Sequence, residues 1–201
     1  LTVVPYPGVG AAQATGLAIG AGGETFVSGK ILNSTMFVFR VDDSGAATWF
    51  APFEYNAGLP LALTTDSQSN AVLGVMGLGS FDFGGGTFAG GAVVALSKSS
   101  GGFLWDLERG VDVVPRYLEY SPAGDLIVGG SYIGADIDLG GGVLPSAGYA
   151  EGFVAVFEGE NHDYRWHRAF ATTGSDSVAA LVTNLDGDVF FVGTVSDVVD
   201  L

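Results

Sequence analysis

Aspartates in glycine-rich loops are the side chains whose type and spacing come nearest to a recognisable chemistry. Asp82 and Asp138 each begin a run of the form Asp-apolar-Gly-Gly-Gly, and Asp200 stands in the corresponding place further along. Carboxylates and loop carbonyls bind Ca²⁺, which takes about six to eight oxygens. One carboxylate per loop supplies few of these, so the favoured interpretation is a turn in which the aspartate caps its own backbone. Ca²⁺ remains an alternative and no other cofactor is expected; the candidate ligands are Asp82, Asp136, Asp138, Asp197 and Asp200.

No set of side chains in the sequence indicates catalysis. Cysteine is absent, which removes thiol nucleophiles, thiolate metal sites and disulfides. His162 and His167 lie five positions apart and do not share a strand face, so we expect exposed hairpin residues rather than a chelating pair. No Gly-x-Ser-x-Gly elbow is present, and the glycine run after Asp138 lacks the lysine and helix of a phosphate loop. We therefore expect no catalytic residues, and the sequence favours a protein that is not an enzyme.

Three tryptophans reveal an internal repeat. Trp49, Trp105 and Trp166 are 56 and 61 residues apart, and each follows an apolar run and a polar turn. The spacing of Asp82, Asp138 and Asp200, 56 and 62 residues, is nearly the same. A tryptophan that recurs once per unit at one register is typical of packing between units rather than of sugar binding.

A second sequence motif of the repeat occurs four times, as an apolar stretch that follows small or polar residues. Its copies run over 23–29, 69–75, 124–130 and 187–193, and a further apolar stretch precedes each of them. Each unit thus reads as strand, turn, strand, variable loop, strand, turn, strand, which predicts four antiparallel strands per unit. The predicted units are approximately 9–53, 54–109, 110–170 and 171–201, in a single domain over 1–201.

These sequence motifs, in the order in which they occur along the chain, resemble the SBBP family of bacterial β-propeller repeats. The resemblance rests on the Gly-Asp/Asn strand, the Asp-Phe/Leu-Gly-Gly-Gly loop, the Phe-Val-Ala strand and the Leu/Tyr-x-Trp ending, and it covers nearly the whole chain. The segment 94–105 is also similar to the tryptophan-docking motif of quinoprotein-type propellers, although only this copy fits. The SBBP resemblance implies a propeller fold and an extracellular, cell-surface or periplasmic location, and it carries no catalytic residues with it.

The composition is that of an acidic, glycine-rich chain with enough apolar residues for a core. It holds 33 glycines and is 48% hydrophobic, and its formal charge of −15 comes from 22 acidic against 7 basic residues. Such a charge repels nucleic-acid phosphates and anionic lipid headgroups. No apolar run reaches the roughly 18 residues of a membrane span. We therefore expect neither nucleic-acid binding nor membrane insertion.

The sequence predicts an all-β propeller of four-stranded antiparallel blades, with about three complete blades and part of a fourth. Leu1 to Gly8 takes the place of the last strand of a preceding blade, and 179–193 supplies the first two strands of a fourth. The expectation is thus a fragment of a larger propeller, able to self-associate through its open edges.

The expected function is a non-catalytic repeat module of an exported or surface protein, a scaffold or a protein- or glycan-binding platform. Two alternatives stay open. One is a propeller-type glycan hydrolase or lyase whose active-site loops lie largely outside this chain. The other is a calcium-stabilised adhesin module.

Overall fold

The computed structural model describes residues 12–31, 35–54, 58–77, 79–108, 112–134, 137–147 and 149–198, and their regular structure is β-strand throughout. Short runs of apolar residues separated by glycine-containing turns favour extended structure over helix. The prediction of an all-β chain with four-stranded antiparallel sheets is confirmed. In this described part, no helix is long and apolar enough to cross a membrane.

The first sheet contains four antiparallel strands in chain order: β1 (Ala12–Ile19), β2 (Thr25–Ile31), β3 (Thr35–Val41) and β4 (Ala47–Glu54). In the next segment a short hairpin, which forms a two-stranded sheet of its own, connects the second and third strands of the second four-stranded sheet. The strands of this segment are β5 (Gly58–Thr65), β6 (Ala71–Gly77), β7 (Ser80–Asp82), β8 (Thr87–Ala89), β9 (Ala92–Leu96) and β10 (Phe103–Glu108), and the sheet order is β10-β9-β6-β5.

The third sheet repeats the arrangement of the first, and a two-stranded sheet follows it. The strands are β11 (Val113–Tyr120), β12 (Leu126–Ile133), β13 (Ala150–Phe157) and β14 (Tyr164–Phe170), then β15 (Ser177–Thr183) and β16 (Val189–Thr194). The strands of the successive sheets span 12–54, 58–108, 113–170 and 177–194. The segment Leu1 to Gly8, predicted to be a strand, lies outside the described residues.

A β-bulge marks equivalent positions in these four sheets. In each of them, the pairing between the first and second strands shifts register at one place, between residues 14 and 16, 60 and 62, 115 and 117, or 178 and 180. A bulge bends the strand and increases its twist. The residue that follows the bulge is always leucine, namely Leu17, Leu63, Leu118 and Leu181.

Successive sheets pack face to face through the first strand of the later sheet. β5 lies against β1, β2 and β3; β11 lies against β5, β6 and β9; β15 lies against β11, β12 and β13. An apolar cluster fills each of these contacts, and the leucine after the bulge packs in it: Leu63 in the first, Leu118 in the second and Leu181 in the third. Each sheet therefore buries against its neighbours faces that it could not bury alone.

Candidate functional site

The carboxylates of Asp82 and Asp138 are bound by their own loops. Oδ1 of Asp82 accepts hydrogen bonds from the amides two and four residues on, at 2.7 and 3.3 Å. Oδ1 of Asp138 accepts the equivalent pair at 2.7 and 3.0 Å. These backbone hydrogen bonds, led by that from Gly140, lower the pKa of Asp138 below its ordinary value. Both aspartates thus form the turn that the sequence favoured.

An aromatic ring packs on each glycine loop, a feature that was not predicted. A β-carbon on Gly85 would fall 2.2 Å from Cζ of Phe103, and one on Gly141 would fall 2.2 Å from Cζ of Tyr164. Both rings stand two residues before a tryptophan. The first sheet has Ala47 at this position and no such loop in its sequence. The pairing of loop and ring indicates that the loops are structural parts of their sheets.

Of the remaining candidate cation ligands, only Asp197 lies within the described residues. Asp136 and Asp200 lie outside the described residues. Asp197 accepts a hydrogen bond from the amide of its neighbour Val198 at 2.7 Å. Across the described ranges, no three histidine, aspartate or glutamate side chains form a group able to hold a metal ion.

Removing divalent cations is expected to leave stability unchanged, because Asp82 and Asp138 already stabilise their own turns. We expect Ca²⁺ and EDTA to shift the melting temperature by less than about 2 °C, the effect of under ~1 kcal/mol in a domain of this size. Differential scanning calorimetry in both conditions, with Mg²⁺ as the control ion, measures this. A melting temperature that rises with Ca²⁺ concentration, and no longer does so in Asp138→Asn, would support the calcium-stabilised adhesin instead.

Trp49 and Trp105 pack between sheets, as predicted. Nε1 of Trp49 donates a hydrogen bond to the carbonyl of Lys98, 2.8 Å away in the β9–β10 turn of the next sheet. Trp105, in the second sheet, packs against His162 in the β13–β14 turn of the third sheet, with ring centroids 3.8 Å apart and the ring planes tilted by 37°. Trp166 is 39% exposed. The described residues contain no following turn between a third and a fourth strand that could cover it.

His162 occupies a backbone position suited to glycine. The amides of Gly101 and His162 each donate to the carbonyl four residues before, so the two turns are equivalent. Both residues adopt the left-handed backbone conformation, with φ angles of 71° for Gly101 and 57° for His162. At this position the second sheet has a glycine against Trp49, whereas the third has an imidazole against Trp105. A non-glycine residue in this region is strained by about 1 kcal/mol or more.

The expectation that both histidines are exposed was wrong. His162 is half-buried under its contact with Trp105, and His167 is half-buried on β14. The hydroxyl of Tyr164 lies 2.9 Å from Nδ1 of His167. Burial lowers the pKa of His167, against the attraction of Asp138. Packing against Trp105, 57 residues earlier in the chain, covers the ring of His162, and strand alternation alone does not reveal this contact.

A groove of about 810 Å³ lies between the second and third sheets, where their turns cluster. The β5–β6, β11–β12 and β13–β14 turns and the start of β10 form its walls. Its aromatic and charged lining residues are Asp66, Trp105, Tyr120, Asp125, Glu158, Glu160, His162 and Arg165. Only Trp105 and His162 were candidates from the sequence. The internal repeat could have identified the other lining residues, because equivalent turns of neighbouring units must lie side by side once the sheets stack.

The groove is negatively charged, with four carboxylates against one guanidinium. Nη2 of Arg165 lies 3.1 Å from Oδ1 of Asp125 and 3.6 Å from Oε1 of Glu158. Burial, together with the negative charge of Asp66, raises the pKa of Tyr120 above its ordinary value. The arrangement offers hydrogen-bond acceptors, one phenol and aromatic surface, and it disfavours anions.

Among known proteins, the chain is similar to solved structures and to no family model or curated sequence. No family model matches it, and no curated protein sequence does. It is similar to the gluconolactonase XC5397 from Xanthomonas campestris, with a TM-score of 0.52 and 14% identity over 96% of this chain and 58% of that one. It is also similar to a protein of unknown function from Bacteroides caccae, with a TM-score of 0.45 and 13% identity over 92% of this chain and 72% of that one.

At such identities a likeness concerns the fold and not the activity. The chain spans 58% of the length of the gluconolactonase that it resembles. Together with the stacked four-stranded sheets, this likeness shows that the chain has an all-β fold of the propeller type.

Proposed function

We propose that this chain is a non-catalytic β-propeller repeat module, part of a larger propeller in an exported or cell-surface protein, that acts as a ligand-binding platform. Three observations support the proposal. The sheets repeat one architecture and stack through equivalent faces. The repeat phrases resemble those of the SBBP family. The chain covers 58% of the length of the gluconolactonase with which it shares its fold, which leaves room for further blades.

The groove between the second and third sheets carries the binding part of this proposal. Ligand sites in proteins are concave and combine apolar walls with a few polar groups. Here half-buried Trp105 and Tyr120 supply aromatic surface, while Asp125, Glu158 and Glu160 supply acceptors for hydroxyl groups. The negative charge opposes acidic sugars and phosphates. A neutral glycan is the ligand class that this chemistry favours.

A glycan array and isothermal titration calorimetry on the 201-residue chain test this proposal. We expect binding to neutral oligosaccharides and none to sulfated or sialylated ones. Glu158→Gln and Glu160→Gln are each expected to weaken binding by about tenfold, since a lost charged hydrogen bond is worth roughly 1.5 kcal/mol. Glu108→Gln on β10, which is exposed and outside the groove lining, is the matched control. Equal affinities for all three variants would exclude the groove as the site.

The same panel separates binding from catalysis. Retained, unmodified oligosaccharide after prolonged incubation supports a binding module. Release of reducing sugar by the chain, lost in Glu158→Gln but not in Glu108→Gln, would instead show a glycan hydrolase, since such enzymes use paired carboxylates.

A further inference from the structure

The turn that follows the first strand has the same form in all four sheets, so its residues can be compared position by position. In each turn, the amide of the first residue donates to the carbonyl four residues on. The last residues of the preceding strands are Ile19, Thr65, Tyr120 and Thr183. The fourth residues of the turns, which all have positive φ, are Gly23, Ser69, Gly124 and Gly187. These two positions show how each junction, the contact between one sheet and the next, is held together.

The threonines at the end of the first strand tie their sheets to the preceding ones. The hydroxyl of Thr65 donates to the carbonyl of Ile19 at 3.3 Å across the first junction. Across the third junction, the hydroxyl and the amide of Thr183 donate to Oε1 of Glu119 at 2.7 and 3.0 Å. The second junction instead has Tyr120 at this position, where it is half-buried and lines the groove.

The fourth turn residue distinguishes the first junction from the second. The hydroxyl of Ser69 accepts a hydrogen bond from the amide of Ala21 at 3.0 Å, which joins the turns of the first and second sheets. Ser69 does so at a φ of 64°, where a side chain is strained. Its counterpart Gly124 has no hydroxyl to offer to the amide of Ser67, the counterpart of Ala21. A β-carbon on Gly124 would have no atom of another described residue within 4 Å, its chain neighbours apart, so the space beside it is open.

The turn between the third and fourth strands differs at the corresponding place. In the second sheet, Gly101 lies so close to Trp49 that a β-carbon would fall 2.8 Å from Cε3 of the indole ring. In the third sheet, His162 places an imidazole at this position, against the ring of Trp105. Three residues that differ between the first and second junctions thus line the groove, namely Tyr120, Gly124 and His162.

We infer that Tyr120, Gly124 and His162 make the second junction, rather than the first, the ligand site of this chain. The first junction is closed because two hydroxyl groups and the close approach of Gly101 to Trp49 join its turns. The second junction lacks these hydroxyl groups, and its turns stay apart around the groove. The ligand is the neutral oligosaccharide of the proposed function, on which this inference rests, and the phenol supplies a hydrogen-bond donor for its hydroxyl groups.

Grafting the residues of the first junction onto the second tests this inference. The triple variant Tyr120→Thr/Gly124→Ser/His162→Gly is expected to bind a neutral oligosaccharide at least about tenfold more weakly than the parent chain in isothermal titration calorimetry. Gly124→Ser alone is expected to weaken binding in the same direction. It is also expected to slow hydrogen exchange at the amide of Ser67 at least about tenfold, since the new hydroxyl accepts a hydrogen bond from that amide.

The matched control is Gly187→Ser, which places the same side chain at the same position of a turn outside the groove lining. Gly187 has a φ of 86°, against 90° for Gly124, and a β-carbon on it likewise lies in open space. We expect this control to leave the affinity and the exchange at Ser67 unchanged. Far-UV circular dichroism verifies that the variants fold, and Gly124→Ser carries the test if the triple variant does not.

The outcomes separate this inference from the proposed function. A parent chain that binds, loses affinity in Glu158→Gln and keeps it in both the triple variant and Gly124→Ser would overturn the inference alone. A loss of affinity in Gly187→Ser equal to that in Gly124→Ser, or unchanged exchange at Ser67 in Gly124→Ser, would also overturn it. A parent chain that binds no neutral oligosaccharide would overturn the proposed function and the inference with it.

Discussion

Replacing Gly91 by alanine is expected to lower the free energy of unfolding by about 3 kcal/mol, the upper end of what overpacking a core usually costs. Gly91 lies just before β9, where β11 of the next sheet crosses closely. A β-carbon there would lie 1.6 Å from the carbonyl oxygen of Val113 and 2.6 Å from its carbonyl carbon. The obstacle is backbone, which no side-chain rotation removes. The second and third sheets would have to separate, weakening the apolar cluster between them.

Urea unfolding of Gly91→Ala and of Gly102→Ala measures this effect. Gly102 is exposed, and the nearest atom to an added β-carbon there is the side-chain hydroxyl of Ser100 at 3.2 Å. We expect the control to change stability by less than about 1 kcal/mol, as surface substitutions usually do. Equal stabilities for the two variants would mean that the sheets are not held at this spacing.

Replacing Asp176 by alanine is expected to destabilise the chain by about 3 kcal/mol, because it leaves buried donors without their charged acceptor. Asp176 is 1% exposed and lies just before β15. Its carboxylate accepts hydrogen bonds from the amide and hydroxyl of Thr172, at 2.7 and 2.8 Å, and from the amide of Ser196 at 2.8 Å. It thereby ties the loop before β15 to the segment that follows β16.

The same carboxylate is expected to make stability depend on pH. Burial raises the pKa of Asp176, but the hydrogen bonds from Ser196 and Thr172 outweigh it and hold this pKa below the ordinary value of 3.8. A carboxyl whose pKa is lowered on folding stabilises the fold above its unfolded pKa, and this contribution is lost as the pH falls through the folded value. The parent chain should therefore lose more stability below pH 3.8 than Asp176→Asn does.

Chemical denaturation between pH 7 and acid pH, with Asp106→Asn as an exposed control on β10, measures this difference. The control is expected to follow the parent chain at every pH. Parallel curves for the parent and Asp176→Asn would show that the carboxylate contributes no charge-dependent stability.

The sequence by itself determined the strands and their turns, because the signals for both are local. Apolar runs bounded by glycine, asparagine and aspartate recur with the tryptophans, and each becomes a strand in the described part of the chain. Asp82 and Asp138 were assigned to turns from their neighbours alone, and they cap those turns. The all-β class and the four-stranded units followed from the same local patterns.

Only the tertiary structure decided which side chains meet between sheets. The groove joins residues from Asp66 to Arg165, about half the length of the chain, because turns that are distant in sequence lie side by side when sheets stack. The burial of His162 against Trp105 depends on the same stacking. Nothing near Asp176 in the sequence distinguishes it from the exposed aspartates, since its importance comes from donors that the fold brings to it. Contacts of this kind have no local signal, because they form between surfaces of separate sheets.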